Sequence, residues 1–202
     1  MSKIKICGLF RPEDISYVNQ AKPDYIGFIL NFPKSRRNLT KSQAISLKRD
    51  LNSDILSVGV FVNARLDMIQ EYVNEKIIDI VQLHGSEDEK YLYDLRKLLP
   101  TTEIWKAFQI RSAVDISNAE KSTANAIVLD NGYGTGTSFD WTLISSFEKP
   151  MILAGGLTPE NIPEAIHLFH PWAIDISSGV EQDGIKDYEK IVAAVSATKA
   201  RY

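Results

Sequence analysis

The side chains of this chain that can transfer protons or bind anions follow short apolar stretches of the sequence. They comprise the single thiol, an imidazole, two carboxyl groups and a guanidinium group, together with two glycine-containing turns that could present backbone N–H groups to a phosphate. Because each follows or lies at the end of a predicted strand, a fold that gathers strand ends would bring them to one mouth. The candidate site residues are Cys7, Arg36, His84, Asp130, Gly155, Gly156, Asp175, Ser177, Ser178 and Gly179.

Eight short stretches rich in β-branched residues alternate with helical patterns along all 202 residues. This alternation predicts parallel strands joined by right-handed crossovers, and eight units can close a single-domain (βα)8 TIM barrel over residues 1–202. An open doubly wound sheet is the alternative, but Cys7-Gly8-Leu9 after the first strand is not its usual glycine-rich turn. The predicted strands span residues 4–7, 25–29, 56–61, 78–83, 104–108, 126–130, 151–154 and 173–176.

Several predicted helices carry readable start signals. Ser86 and Glu89 predict a capping box that opens a helix ending at Leu99. Thr158 and Pro159 predict the N-cap and first turn of a helix ending near residue 169. The other helical patterns cover residues 12–20, 41–50, 65–76, 112–121, 141–145 and 187–198.

The composition of the chain limits which classes of partner and which cellular compartment we expect. Lys and Arg total 23 and Asp and Glu total 26, so the net charge of −3 argues against a nucleic acid or an anionic membrane as partner. The single cysteine, Cys7, excludes an intrachain disulfide and is typical of a reducing compartment. The sequence shows neither a signal-peptide pattern nor an apolar run of membrane-spanning length. We therefore expect a cytoplasmic protein. We also expect a monomer rather than a homodimer.

Several of these stretches, taken in order, form a recognisable set. Lys-Ile-Cys-Gly-Leu at residues 5–9, Val-Gln-Leu-His-Gly at 81–85, Leu-Ala-Gly-Gly-Leu at 153–157 and Asp-Ile-Ser-Ser-Gly-Val-Glu at 175–181 resemble the phosphoribosylanthranilate isomerase family. The resemblance implies a small TIM barrel without cofactor or metal. It also implies a phosphorylated substrate, N-(5-phosphoribosyl)anthranilate, converted by an Amadori rearrangement to 1-(2-carboxyphenylamino)-1-deoxyribulose 5-phosphate, the third step from chorismate to tryptophan.

The resemblance also suggests roles for the proton-transfer residues. Cys7 matches the general base, which must act as a thiolate, so we expect a site that favours the anion. Asp130 matches the general acid, for which partial burial must raise the pKa. Arg36 matches the residue that binds the anthranilate carboxylate, whereas we interpret the adjacent Arg37 as a solvated surface charge.

The remaining candidates are less sharply defined by sequence. Gly155 and Gly156, with the turn of Ser177, Ser178 and Gly179, resemble the phosphate-binding loops after the seventh and eighth strands. His84 could orient the substrate or a neighbouring side chain, or be an ordinary core histidine. Asp175 could position the sugar or be a buried structural carboxylate.

Two stretches depart from the family pattern, and the function has alternatives. Residues 131–136 form a slightly short loop without the usual adjacent glycines, and Asp183-Gly184 stands where Pro-Gly is usual. A different enzyme on the same barrel, such as a sugar-phosphate epimerase or an indole-forming synthase, could share the phosphate loops. A non-catalytic phospholigand-binding barrel is the third possibility.

Overall fold

Parallel strands form a closed barrel in the computed structural model, which describes residues 1–130 and 149–200. The first strand closes the barrel because it pairs with the second on one side and with the last on the other. The described strands of this sheet are β1 (Lys3–Cys7), β2 (Tyr25–Leu30), the two-residue β3 (Asn38–Leu39), β4 (Leu56–Phe61), β5 (Ile80–Leu83), β6 (Glu103–Gln109), β7 (Ala126–Asp130), β8 (Met151–Ala154) and β9 (Ala173–Ile176). All pair in parallel, and β3 only extends the edge beside β2, so eight strands make the barrel as predicted.

Helices cover the outside of the barrel, and a small antiparallel hairpin follows β9. The described helices are α1 (Pro12–Ala21), α2 (Lys41–Arg49), α3 (Leu66–Asn74), α4 (Glu89–Leu98), α5 (Ala113–Lys121), α6 (Ile162–Phe169) and α7 (Tyr188–Lys199). The hairpin pairs β10 (Glu181–Gln182) with β11 (Ile185–Lys186). None of the described helices has the length and apolar character that a bilayer crossing requires.

Two apolar cores follow from the alternation of side chains along the strands. The larger core lies between strands and helices, and the smaller one fills the inside of the barrel. In the inner core, Trp105 meets Tyr25 and Trp172 edge to face, with ring centroids 5.2 and 5.8 Å apart. These rings pack the amino-terminal half of the interior, so the other end of the barrel is left to hold polar groups.

One predicted helix start is wrong. Helix α4 begins at Glu89 with Asp88 as its N-cap, whose carboxylate accepts a 2.8 Å hydrogen bond from the Tyr91 N–H. Ser86 instead donates its N–H and its hydroxyl to Asn63 Oδ1, at 2.8 and 3.1 Å. The capping box fails because a side chain from the preceding βα loop binds this serine.

A second start is also misplaced. Helix α6 begins at Ile162, so Pro163 rather than Pro159 lies in its first turn. The Thr158 N–H donates to Asn161 Oδ1 at 2.8 Å, and the Asn161 amide donates to the Gly156 carbonyl at 3.0 Å. These bonds form a turn against the preceding glycine loop and delay the helix. The predicted helix at residues 141–145 lies outside the described residues.

Candidate active site

The predicted proton-transfer residues lie at the carboxyl-terminal rim of the barrel and face its interior. Asp130 ends β7 and continues the inward positions of Ala126 and Val128, which belong to the inner core. Asp175 likewise continues the inward position of Ala173 on β9. Cys7 ends β1 and is partly exposed. The strand order β1-β9-β8-β7 places the ends of β8 and β9 between Cys7 and Asp130.

Cys7 lies in a tight space shared with Lys5. Both side chains contact Gly27, which is opposite Cys7 in the pairing of β1 with β2. A Cβ atom at Gly27 would come within 2.7 Å of Cys7 Sγ and 3.1 Å of Lys5 Cε. Glycine at this position therefore makes room for the thiol and the ammonium group on the same face of the barrel wall.

The surroundings of Cys7 act on its ionisation in opposite directions. Burial raises the pKa of the thiol most strongly, and the negative charge of Asp175 adds to this effect. The ammonium groups of Lys5 and Lys186 lower it, but the pKa of Cys7 remains above its usual value. The cations favour the anion, but burial outweighs them, so the site as a whole does not show the preference for the thiolate that was expected.

Asp130 is linked to His84, one of the candidate residues. His84 Nε2 lies 3.1 Å from Asp130 Oδ2, and the Gln82 amide nitrogen lies 3.2 Å from His84 Nδ1. With the Gln82 amide donating to Nδ1, Nε2 carries the proton and donates to Asp130. The His84 ring is partly exposed and lies beside the Asp130 carboxyl group, so the contact is consistent with the orienting role that the sequence left open.

A cavity of about 250 Å³ opens beside this pair. Its walls come from the loops after β4 and β5 and from the ends of β6 and β7, so it lies on the same rim. The lining residues are Val62, Asn63, His84, Gly85, Ser86, Ala107, Gln109 and Asp130.

The two arginines after β2 both bind Glu181 in the hairpin. Arg37 makes a two-pronged contact from Nε and Nη2, each at 2.7 Å, and Arg36 Nη2 adds a 2.8 Å bond. Burial alone would raise the pKa of Glu181, but Arg37 and Lys186 lower it to about 2. The interpretation of Arg37 as a solvated charge is wrong, since its side chain is only 14 % exposed, whereas that of Arg36 is 58 % exposed.

The two predicted phosphate-binding turns lie next to each other. Gly155 and Gly156 both have a left-handed backbone, with φ of 86° and 67°, which glycine adopts readily. Gly179 is so close to the following segment that a Cβ atom there would lie 1.9 Å from the Leu157 carbonyl oxygen. Ser177 Oγ donates to the Cys7 carbonyl at 3.1 Å, so this turn also contacts the end of β1.

Comparison with known proteins identifies the family. A family model described as N-(5'phosphoribosyl)anthranilate (PRA) isomerase matches residues 4–197. The chain belongs to the phosphoribosylanthranilate isomerase family. Membership in this family favours the first functional interpretation over the other barrel enzymes and the non-catalytic barrel.

Relatives in this family resemble the chain along nearly its whole length. The phosphoribosylanthranilate isomerase of Clostridium kluyveri is 43 % identical over 194 residues, covering 95 % of this chain and 94 % of the relative. That of Caldanaerobacter subterraneus subsp. tengcongensis is 38 % identical over 206 residues, covering 98 % of each. The crystal structure of the Thermotoga maritima enzyme superposes with a TM-score of 0.88 at 33 % identity, covering 98 % of this chain and 99 % of that one.

A further phosphoribosylanthranilate isomerase structure contains reduced 1-(o-carboxyphenylamino)-1-deoxyribulose 5-phosphate. It has a TM-score of 0.83 and 30 % identity to this chain, and the alignment covers 98 % and 99 % of the two chains. A family member whose structure contains a bound sugar phosphate thus has the same fold as this chain.

Three charged residues beside these side chains do not belong to the set of site residues that the sequence predicts. Lys5 alternates with Cys7 on β1, and this period of two was the available signal for a shared face. Glu181 lies within the family-like stretch at residues 175–181, but its partners come from a loop 144 residues earlier. Lys186 is almost fully buried and donates to Ser177 O and to Glu181 Oε1, at 2.9 and 2.7 Å. A lysine in a two-residue strand offers no sequence pattern that predicts burial.

Proposed function

We propose that Cys7 is the general base and Asp130 the general acid of a phosphoribosylanthranilate isomerase. The reaction converts N-(5-phosphoribosyl)anthranilate into 1-(2-carboxyphenylamino)-1-deoxyribulose 5-phosphate. It moves protons without changing the oxidation state of the molecule as a whole, so the proposal requires neither a redox cofactor nor a metal.

The observation that carries this proposal is the strand order. The phosphate-binding turns after β8 and β9 lie between the strand that ends in Cys7 and the strand that ends in Asp130. A phosphate held by these turns would place the attached ribose between the two side chains. Positioning of this kind is the main contribution that a rigid site makes to a proton-transfer reaction.

The chemistry assigns one step to each group. Asp130, held by His84, donates a proton to the ribose ring oxygen as the C1–O bond breaks and the nitrogen lone pair forms the imine. The Cys7 thiolate then removes the proton from C2, the C–H electrons form the C1=C2 bond of an enolamine, and the π electrons of the protonated imine return to the nitrogen. Tautomerisation of this enol releases the proton of the C2 hydroxyl and adds a proton at C1, which places the carbonyl at C2 and gives the ketose. Positioned groups typically contribute about 10²–10⁴-fold each.

Binding of the two ends of the substrate is assigned to separate groups. Gly155, Gly156 and the turn of residues 177–179 would hold the phosphate. Arg36 would hold the anthranilate carboxylate, because its exposed guanidinium group can reach solvent while Glu181 keeps its two-pronged bond to Arg37.

Asp175 would accept a hydrogen bond from a sugar hydroxyl. Its Oδ1 atom is buried and has no hydrogen-bond partner among the residues that the structure describes, whereas its Oδ2 atom is bound to Lys5. A hydroxyl group of the substrate would satisfy this acceptor.

The organisation of the molecule is also part of the proposal. We infer a single domain over residues 1–202 that acts as a cytoplasmic monomer, although the Thermotoga maritima relative is described as dimeric. Exposed large apolar side chains among the described residues come from different elements, for example Ile45 of α2, Tyr93 of α4 and Leu168 of α6. Sedimentation equilibrium at micromolar concentration should give a mass near 22.7 kDa, and a mass twice as large would contradict the monomer.

The direct test measures the isomerisation. Phosphoribosylanthranilate generated enzymatically would be followed by its loss of fluorescence, with and without the protein. We expect Cys7→Ala and Asp130→Ala each to lower kcat by at least about 10²-fold. Asp94→Ala, on the outer surface of α4, is the matched control and should retain activity. Wild-type rates in both site variants would contradict the assignment of base and acid.

A further inference from the structure

We infer that Lys5, held by Asp175, is a positioning residue that supplies the counter-charge for the Cys7 thiolate. This inference rests on the proposed role of Cys7 as the base. It assigns to Lys5 no contact with the substrate, because Lys5 lies below the thiol inside the barrel and is fully buried.

The geometry places the ammonium group between one carboxylate and one thiol. Lys5 pairs in register with Asp175 across β1 and β9, and its Nζ donates to Asp175 Oδ2 at 2.7 Å. Lys5 is also two residues before Cys7, so both side chains project from the same face of β1, and both lie against Gly27. The Lys5 ammonium is therefore bonded to one carboxylate and lies close to a thiol that can be anionic.

A purely structural ion pair would be expected to satisfy its own polar atoms. Asp175 Oδ1 does not do so among the described residues, and a lysine with no exposure at all is rare unless paired. The Lys5–Asp175 pair therefore resembles part of a binding site more than an ion pair that only stabilises the barrel.

The charge around Cys7 has an excess of cations when the thiol is neutral. Among the described residues, the buried or largely buried cations next to this end of the barrel are Lys5, Arg37 and Lys186, and the carboxylates are Asp175 and Glu181. These groups come from β1, the loop after β2, β9 and the hairpin, and the more exposed Arg36 adds a further cation on Glu181. The cations outnumber the anions in this group, so a thiolate at Cys7 brings its charge closer to neutrality.

Two of these groups act on the thiol with opposite sign, which makes the inference testable. The Lys5 charge favours the thiolate, while the Asp175 charge opposes it. Removing Lys5 should raise the midpoint of Cys7 ionisation, and removing Asp175 should lower it. A role in packing alone would predict neither shift, and still less a difference in sign.

The experiment titrates the thiol in the full-length protein without substrate. Because Cys7 is the only cysteine, thiolate absorbance near 240 nm and the rate of alkylation by iodoacetamide both report on it alone. We expect Lys5→Met to raise the midpoint by about one pH unit or more, so that alkylation below the midpoint slows about tenfold. Asp175→Asn should lower the midpoint. Lys3→Met, which removes a cation from the amino end of the same strand, is the matched control and should leave it unchanged.

A midpoint in folded Lys5→Met equal to that of the wild type would overturn the inference. If circular dichroism shows that Lys5→Met does not fold, the double variant Lys5→Met/Asp175→Asn removes both buried charges and is compared with Asp175→Asn alone. A higher midpoint in the double variant supports the inference, and equal midpoints overturn it.

The same measurements separate this inference from the proposed function. If the Cys7 midpoint shifts in Lys5→Met while Cys7→Ala keeps full activity, Cys7 is not the base, but the effect of the Lys5 charge on the thiol stands. An inactive Cys7→Ala with an unshifted midpoint would reject the role of Lys5 alone. In active Lys5→Met, the rise of kcat with pH should move to higher pH in parallel with the thiol midpoint.

Discussion

Strand β1 places one lysine at each end of the barrel interior, and the two lysines have different surroundings. At the amino end, Lys3 donates to the Tyr25 hydroxyl at 2.8 Å and lies 4.6 Å from the centre of the Trp172 ring, with its side chain partly exposed. At the carboxyl end, Lys5 is fully buried against Asp175 and Cys7. At the amino end, packed aromatic rings stabilise the fold, whereas the carboxyl end contains the charged groups of the proposed active site. Two lysines only two residues apart on β1 therefore belong to a structural region and to a proposed functional region.

The largest effect is expected at the aromatic end. Trp105→Ala would remove a fully buried indole that packs on Tyr25 and Trp172, so the free energy of unfolding should fall by about 3–5 kcal/mol. Urea denaturation measures this loss. The KM of the folded variant should stay close to that of the wild type, and a large rise in KM with little loss of stability would break the division between the two ends.

Acid should act on the other end. Glu181 has its pKa lowered to about 2, so its pairing with Arg37 and Lys186 stabilises the native state fully above the unfolded-state pKa near 4.5. That contribution, about 3 kcal/mol, disappears as the pH falls from about 4.5 through about 2. Urea denaturation across this range should show a smaller pH dependence in Glu181→Gln than in the wild type. Equal slopes would contradict the buried role of Glu181.

The proposed phosphate-binding turns provide a third comparison, this time between a glycine of the rim and a glycine of the barrel wall. Gly179→Ala would place its methyl group against the Leu157 carbonyl and move the two turns apart, so KM should rise about tenfold or more through loss of anion binding. Steady-state kinetics with the isomerase substrate measures this rise. Gly59→Ala in β4 is the control, since its added methyl group meets Ile78 and Phe61 in the core outside the barrel. A similar rise in KM for both would argue against a phosphate site at residues 155–156 and 177–179.

The smallest effect sharpens the contrast between the lysines. Lys3→Met removes a partly exposed cation that contacts aromatic rings, so stability should change by less than about 1 kcal/mol, and activity should be unaffected. Thermal denaturation and the fluorescence assay measure the two quantities. A loss of activity comparable with that of Lys5→Met would show that charge acts along the whole strand rather than at its end.

Sequence patterns predicted the parts of the molecule that depend on neighbours along the chain. Residues 126–129 are all apolar and are followed by Asp130. This pattern predicts both the bounds of β7 and the place of Asp130 on the rim. The regular alternation of strands and helices predicts closure into a barrel because few parallel arrangements satisfy it.

The errors arise where distant residues compete. The spacing of Ser86 and Glu89 predicts a capping box, but Asn63, 23 residues before Ser86, accepts the hydrogen bonds of this serine. The charge cluster around Arg37 predicts a surface residue, but Glu181, which pairs with Arg37, comes from the hairpin after the last barrel strand. The partner of Lys5 lies 170 residues further along the chain. No local pattern carries such information, since it arises only when the barrel closes.

Closure of the barrel through β1 has a consequence for biosynthesis. Cys7 precedes Asp175, Ser177 and Lys186 in the sequence and is therefore translated before them. Strand β1 can pair with β9 only after residues 173–176 have left the ribosome, and such long-range pairing forms slowly. The electrostatic environment of the thiol is therefore absent until β9 and the hairpin have been synthesised, so a shorter nascent chain carries Cys7 without its charged neighbours.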